Sequence, residues 1–174
     1  DCRVAGLNAR MSEFHAAVGL ATLTELPQRV QRRNELVQFF VDHLAGVPGV
    51  RVPAVDAADL STYKDLTLVV DERPYGLDVP ALNAALAAEG VDCRRYFYPP
   101  VHRQRAYAHL GTPEDLPVTD VLAPRVLTLP LWTQMSADTV RRLADLVIRC
   151  HESAGAVREA VADRHRDLSG RTSR

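Results

Sequence analysis

Gly6-Leu7-Asn8-Ala9-Arg10-Met11-Ser12-Glu13 runs directly into Phe14-His15-Ala16-Ala17-Val18-Gly19-Leu20-Ala21-Thr22-Leu23. Gly6 gives the irregular entry a pivot. Ser12 has a side-chain oxygen able to accept from a free backbone N–H, so it is expected to cap a helix, with Glu13 near the positive end. Ala16, Ala17, Val18, Leu20, Ala21 and Leu23 make that helix apolar on more than one side, and its small residues let another body approach closely. Residues 1–26 are therefore expected to be an entry segment and an interdomain or dimer helix.

Working outward, Pro27 is expected to open a second helix or to kink the first. Val30, Val37, Phe40, Val41 and Leu44 keep helical spacing, Arg29, Arg32, Arg33 and Asp42 cover the wet face, and Gly46 with Pro48-Gly49 ends the run. Val50–Val52 and Thr62–Val70 read as strands separated by a polar loop, and Asp71–Gly76 reads as a turn. Asp78 is placed to cap a helix with Pro80 in its first turn, running to Gly90. Cys93–Tyr98 reads as a strand ending in Pro99-Pro100. Short helices are expected near 104–110 and 118–123. A strand over 126–131 carries Pro130 at its edge. Ser136 caps a last long helix with Val140, Leu143, Leu146, Val147 and Cys150 on one face. Beyond residue 153 the stripe thins into an extension, and residues 165–174 read as a frayed polar tail. This order predicts an α+β fold over residues 27–152, a short, mostly antiparallel sheet packed with helices on one side.

A chain of 174 residues that is 47% hydrophobic and 25% charged can bury one real core. Its net charge of -1 gives no field drawing it toward nucleic acid or an acidic membrane. No apolar run is long enough to span a bilayer, and Asp1-Cys2-Arg3 does not begin a signal peptide. Cys2, Cys93 and Cys150 are an odd, widely spaced set, which argues against a disulfide framework or a zinc knuckle and for a reducing cytoplasm. The absence of an initial Met is expected of a processed product, a fragment or an excised domain. Lys64 is the single lysine among 21 Lys and Arg residues, so Schiff-base chemistry within the chain would have to use it.

Two segments offer binding chemistry. Asn8, a short amide on a loop before a helix, can donate to a phosphate oxygen, or it can simply tolerate a turn. Arg10 can pair with a phosphate or carboxylate, or tie its loop to the helix. Arg94-Arg95-Tyr96-Phe97-Tyr98-Pro99-Pro100-Val101-His102 places an imidazole after a stiff Pro-Pro turn. If 93–98 is a strand, Arg94 and Arg95 point opposite ways, one toward a diphosphate. The three aromatics then alternate between core and a stacking surface for a sugar or base. His102 reads either as a ligand contact or as an ordinary surface histidine. Cys150-His151 reads as a helix-end pair, because adjacent residues are not placed as nucleophile and base.

Gly6-x-Asn8-x-Arg10-Met11-Ser12-Glu13 with Ala16-Ala17-x-Gly19-Leu20 comes first. Gly90-Val91-x-x-Arg94-Arg95-Tyr96-x-x-Pro99-Pro100-x-His102 follows, and then Leu127-Thr128-Leu129-Pro130-Leu131. In order and spacing the set resembles the DegT/DnrJ/StrS-type sugar aminotransferases. Those are fold-type-I enzymes dependent on pyridoxal phosphate, so the resemblance, over roughly residues 3–152, implies the small C-terminal domain of such an enzyme. It also implies that the cofactor lysine lies upstream, that Lys64 is an ordinary strand-end residue, and that no catalytic residue is present here. By the same resemblance Asn8 contacts the cofactor phosphate across a homodimer, with Arg10 beside cofactor or substrate, and His102, Tyr98 and Arg94 meet the substrate. The implied reaction carries an amino group, with glutamate the expected donor, to a nucleotide-linked keto sugar for antibiotic or surface-glycan aminodeoxy sugars. His15 stands where the family usually has Gln, which touches local packing only. Two other readings stay open: a stand-alone, non-catalytic module binding a partner or nucleotide sugar, and a lysine-less dehydratase relative.

Overall fold

The computed structural model of the protein describes residues 10–110 and 116–171. Its first element, α1 (Glu13–His43), is a single helix, so Pro27 does not open a second one. Ser12 is extended and its Oγ accepts from His15 N–H at 3.3 Å, the cap its position implied. Pro27 removes one intrahelical hydrogen bond, a cost of about 3 kcal/mol inside an isolated helix. It is tolerated because it lies in the exposed half of α1, where the freed carbonyl meets water, while Val30, Leu36, Val37 and Phe40 anchor the other half in the core.

Strands β1 (Val50–Arg51), β2 (Leu66–Val70) and β3 (Val126–Leu129) form an antiparallel sheet in that order, Val50 opposite Val70 and Leu66 opposite Leu129. Leu66, Leu68 and Val70 alternate inward, as a strand with one core face must. The strand expected from Thr62 starts later, because Tyr63 adopts a left-handed φ of 38° that no strand can contain. The turn expected after β2 is one turn of helix, α2 (Glu72–Tyr75). α3 (Val79–Ala88) is capped by Asp78, whose Oδ1 accepts from Ala81 N–H at 2.7 Å. Two 3-10 turns (Val101–Arg103 and Arg105–Leu110) and the short α4 (Pro117–Leu122) precede β3. α5 (Ala137–Glu152) is capped by Ser136 and buries Val140, Leu143, Val147 and Cys150 of the forecast stripe, with Leu146 half-buried and Ala144 buried beside them.

Two further expectations are corrected. Cys93–Tyr98 is not a strand. Arg94 alone exchanges backbone hydrogen bonds with Thr128, at 2.8 and 2.7 Å, and the chain then turns, with Tyr98 N–H donating to Arg95 O. The segment leaves the sheet before Pro99 and Pro100, which cannot donate to a ladder, and exposes Tyr96, Phe97 and Tyr98 together instead of alternating them. Residues 165–171 of the expected tail are also helix: they end α6 (Ala154–Arg171), which packs on α3 and brings Val157 to the core margin.

α1 lies on α5, and their apolar faces close over the sheet with Leu82 and Leu86 of α3. Tyr75 is fully buried; its hydroxyl donates to Val147 O at 2.7 Å, and its carbonyl accepts from His151 Nδ1 at 2.8 Å. Two hydrogen bonds thus tie α2 to α5. Among the described residues, no helix is long and apolar enough to cross a membrane, and no cluster of His, Cys, Asp or Glu is arranged to hold a metal.

Cys93 sits half-buried before Arg94, and burial, then the charge of Asp92, pushes its thiol from 9.0 up to about 11. The unfolded chain releases this proton first. The contribution is therefore intact below pH 9 and is lost as pH rises from 9 toward 11. The unfolding midpoint is expected to fall over that window, and to fall less in Cys93→Ala. Equal slopes in both proteins would remove Cys93 as the cause.

Candidate functional site

The segment from Arg94 to His102 is fixed at both ends. Arg94 is held by the bridge to Thr128, and its guanidinium donates to Asp92 at 2.8 Å. At the other end Pro100 is buried and starts the 3-10 turn, its carbonyl accepting from Arg103 N–H at 2.9 Å. Between them Arg95 lies over the Tyr98 ring, 3.9 Å from its centroid, a cation–π contact that orients both groups. The Arg95 Nε is buried without a hydrogen-bond partner.

Arg95 and Tyr98 line an open cleft of about 900 Å³ with Asp71, Arg73, Asp78, Arg125 and Arg158. The cleft is mixed in charge, with the cations drawn from four separate elements. Arg94 faces elsewhere, into a smaller cleft of about 230 Å³ shared with Asp65, Asp92, Tyr96 and Trp132. His102 lines neither cleft. Its ring is largely buried and meets Asp120 of α4, Nε2 to Oδ1 3.1 Å. Arg103 donates to the same carboxylate from Nε at 2.8 Å and from Nη2 at 2.6 Å. The Arg103 hydrogen bond, reinforced by His102, holds the Asp120 carboxyl at about 2, well below the usual range.

The structure thus separates the three residues grouped as substrate contacts. Tyr98 shares a cleft with Arg95, Arg94 pairs with Asp92, and His102 pairs with Asp120. Sequence reasoning missed Asp120 and Arg103. Asp120 lies 18 residues from His102 on another element, a spacing with no periodicity, although Arg103 beside His102 marked a local demand for an acid.

At the other end of the chain, Asn8 lies outside the described residues. Arg10 is exposed ahead of α1. His15 turns back on the cap, its Nδ1 2.8 Å from Ser12 Oγ, so it serves the helix start. Beyond it Met11, Phe14, Val18, Leu20, Leu23 and Leu26 are all exposed, Phe14 at 83% and Leu20 at 68%. Scattered apolar residues on a surface are ordinary, but one helix half presenting five of them, with Met11 just ahead of it, is an uncovered contact face.

The chain is 34% identical over 143 residues to the dTDP-3-amino-3,4,6-trideoxy-alpha-D-glucose transaminase of Streptomyces venezuelae, covering 82% of this chain and 36% of that protein. It is 25% identical over 145 residues to the dTDP-4-amino-4,6-dideoxy-D-glucose transaminase of Escherichia coli, covering 82% and 39%. The solved structure of DesI in the presence of its TDP-sugar product superposes with a TM-score of 0.78 at 38% identity, covering 92% of this chain and 40% of that one. The chain therefore spans well under half the length of the relatives it matches. The model of the DegT/DnrJ/EryC1/StrS aminotransferase family matches residues 2–148, and the chain belongs to that family.

Proposed function

We propose that these residues form the C-terminal part of an aminotransferase that moves an amino group, with glutamate as donor, onto the ketone of a nucleotide-linked sugar in aminodeoxy-sugar biosynthesis. The observation that carries this reading is the family match across residues 2–148, and the relatives named for dTDP-linked sugars support the substrate class. Residues 1–26 would form the interdomain or dimer helix, residues 27–152 the small domain and residues 153–174 its extension. The half-buried and buried free thiols Cys93 and Cys150 suit a reducing cytoplasm.

Pyridoxal phosphate is the cofactor of this family. Lys64 is exposed immediately before β2 and does not fit a covalent anchor for its ring. Arg10 beside the positive end of the long α1 does fit the phosphate, as a cation placed where backbone donors converge. When bound, the cofactor supplies an electron sink and a transient store for the amino group. The roles of this chain are to bind and to orient. Asn8 and Arg10 would hold the phosphate, Asn8 across a homodimer. His102, Tyr98 and Arg94 would contact the nucleotide-linked sugar. The apolar half of α1 would be covered in the assembled enzyme and keep water from that side.

The test is the complete gene product, purified and mixed with glutamate and a panel of nucleotide-linked keto sugars. Amination, with cofactor absorbance, is the expected result. A product of this chain's own mass that holds no cofactor would replace the enzyme by a non-catalytic binding module.

A further inference from the structure

His102 is gripped from one side only. Its Nε2 meets Asp120 Oδ1 at 3.1 Å, its side chain is 9% exposed, and no partner reaches Nδ1 among the described residues. An ionised carboxylate can only accept, so Nε2 carries the hydrogen in this contact. Asp120 is itself immobilised, because the Arg103 fork takes both of its oxygens and fixes the plane of the carboxylate. The geometry therefore specifies one tautomer of the neutral imidazole, and it does so with a residue that lines neither of the two clefts described above.

We propose that Asp120 is a positioning residue that fixes His102 as the Nε2–H tautomer and so presents Nδ1 as a hydrogen-bond acceptor to a hydroxyl of the bound sugar. This rests on the reading of His102 as a substrate contact. An acceptor nitrogen at a fixed angle selects a hydroxyl donor and disfavours a substrate that lacks it, since a substrate covering the nitrogen would then leave it unpaired. The competing explanation is a purely structural staple, in which Arg103 and Asp120 fasten the 3-10 turn to α4 and His102 only packs beside them.

The full-length enzyme separates the two. With histidine labelled in ¹⁵N, the ring signals lost in His102→Gln are expected to show a protonated Nε2 and an unprotonated Nδ1, and Asp120→Asn is expected to mix the tautomers. In steady-state kinetics, His102→Gln and Asp120→Asn are each expected to raise KM for the sugar about 10-fold, the loss of one oriented hydrogen bond. The double variant should be no worse than His102→Gln alone, because the two act as one unit. Arg103→Met releases the fork that fixes the carboxylate plane but leaves the carboxylate itself on His102, and should raise KM by less than Asp120→Asn does. A protonated Nδ1 in the wild type overturns the proposal. So does an Arg103→Met loss equal to that of Asp120→Asn, or additive losses in the double variant. A full-length protein that aminates no sugar overturns the functional reading first, and the sugar contact falls with it whatever the tautomer.

Discussion

Gly49→Ala is expected to destabilise the fold by about 3 kcal/mol or more, at the upper end for a single methyl group. Gly49 has φ +73°, a left-handed conformation, and an added Cβ would lie 2.4 Å from Tyr75 N, 2.6 Å from Asp71 O and 2.8 Å from Pro74 Cγ. Two of these atoms are backbone. They cannot yield without opening the first turn of α2 and the 2.6 Å hydrogen bond from Asp71 N–H to Gly49 O. The strain would not stop there, because Tyr75 is bound through its hydroxyl and carbonyl to Val147 and His151 of α5. Gly46→Ala is the matched control. Its φ is +89° but nothing lies within 4 Å, so it carries the conformational cost alone, about 1 kcal/mol. Denaturant unfolding of the complete protein checks both, and equal midpoints for the two variants would dissolve the claim of a close backbone clasp.

Placing charge on the open half of α1 is expected to undo assembly. Leu20 and Leu23 are exposed, and covering each side chain is worth about 1.5–3 kcal/mol. Leu20→Asp with Leu23→Asp removes that gain and asks two carboxylates to enter an apolar contact. Loss of about 4 kcal/mol of association lowers a dimerisation constant roughly 10³-fold. Sedimentation equilibrium of the full-length protein is expected to show a dimer for the wild type under the proposed reading and monomer for the double variant, with activity lost in parallel. Leu60→Asp, at an exposed apolar residue in a loop, should change neither. A double variant that stays dimeric yet melts lower would assign the cover of α1 to the same polypeptide.

What could be read from the sequence follows the range of the forces involved. Ser12, Asp78 and Ser136 act within three residues of themselves, and each caps the helix expected of it. Val140, Leu143 and Val147 repeat with the helix and bury together. Pro27 does not start a new helix because the local rule against proline is outweighed by core contacts made by Leu36, Val37 and Phe40 further along the same helix. The aromatic run Tyr96-Phe97-Tyr98 reads as strand up to the two prolines, but the chain leaves the sheet before them, after the single bridge at Arg94 and with a turn from Arg95 to Tyr98. In the candidate site Arg94, Tyr98 and His102 were visible as residue types, but their partners were not. Asp92 lies beside Arg94, Arg95 reaches Tyr98 only once the chain turns, and Asp120 arrives on a different helix.

The uninterrupted α1 has a mechanical consequence. Its 31 residues make one continuous helix about 46 Å long that runs through Pro27. One end is clamped by Leu36, Val37 and Phe40, and the other carries the uncovered apolar face. A rod clamped in this way is a lever. Any body seated on residues 13–26 shares its orientation with the sheet, and a rotation of a few degrees at the clamp becomes a displacement of several ångströms at Ser12, beside Arg10.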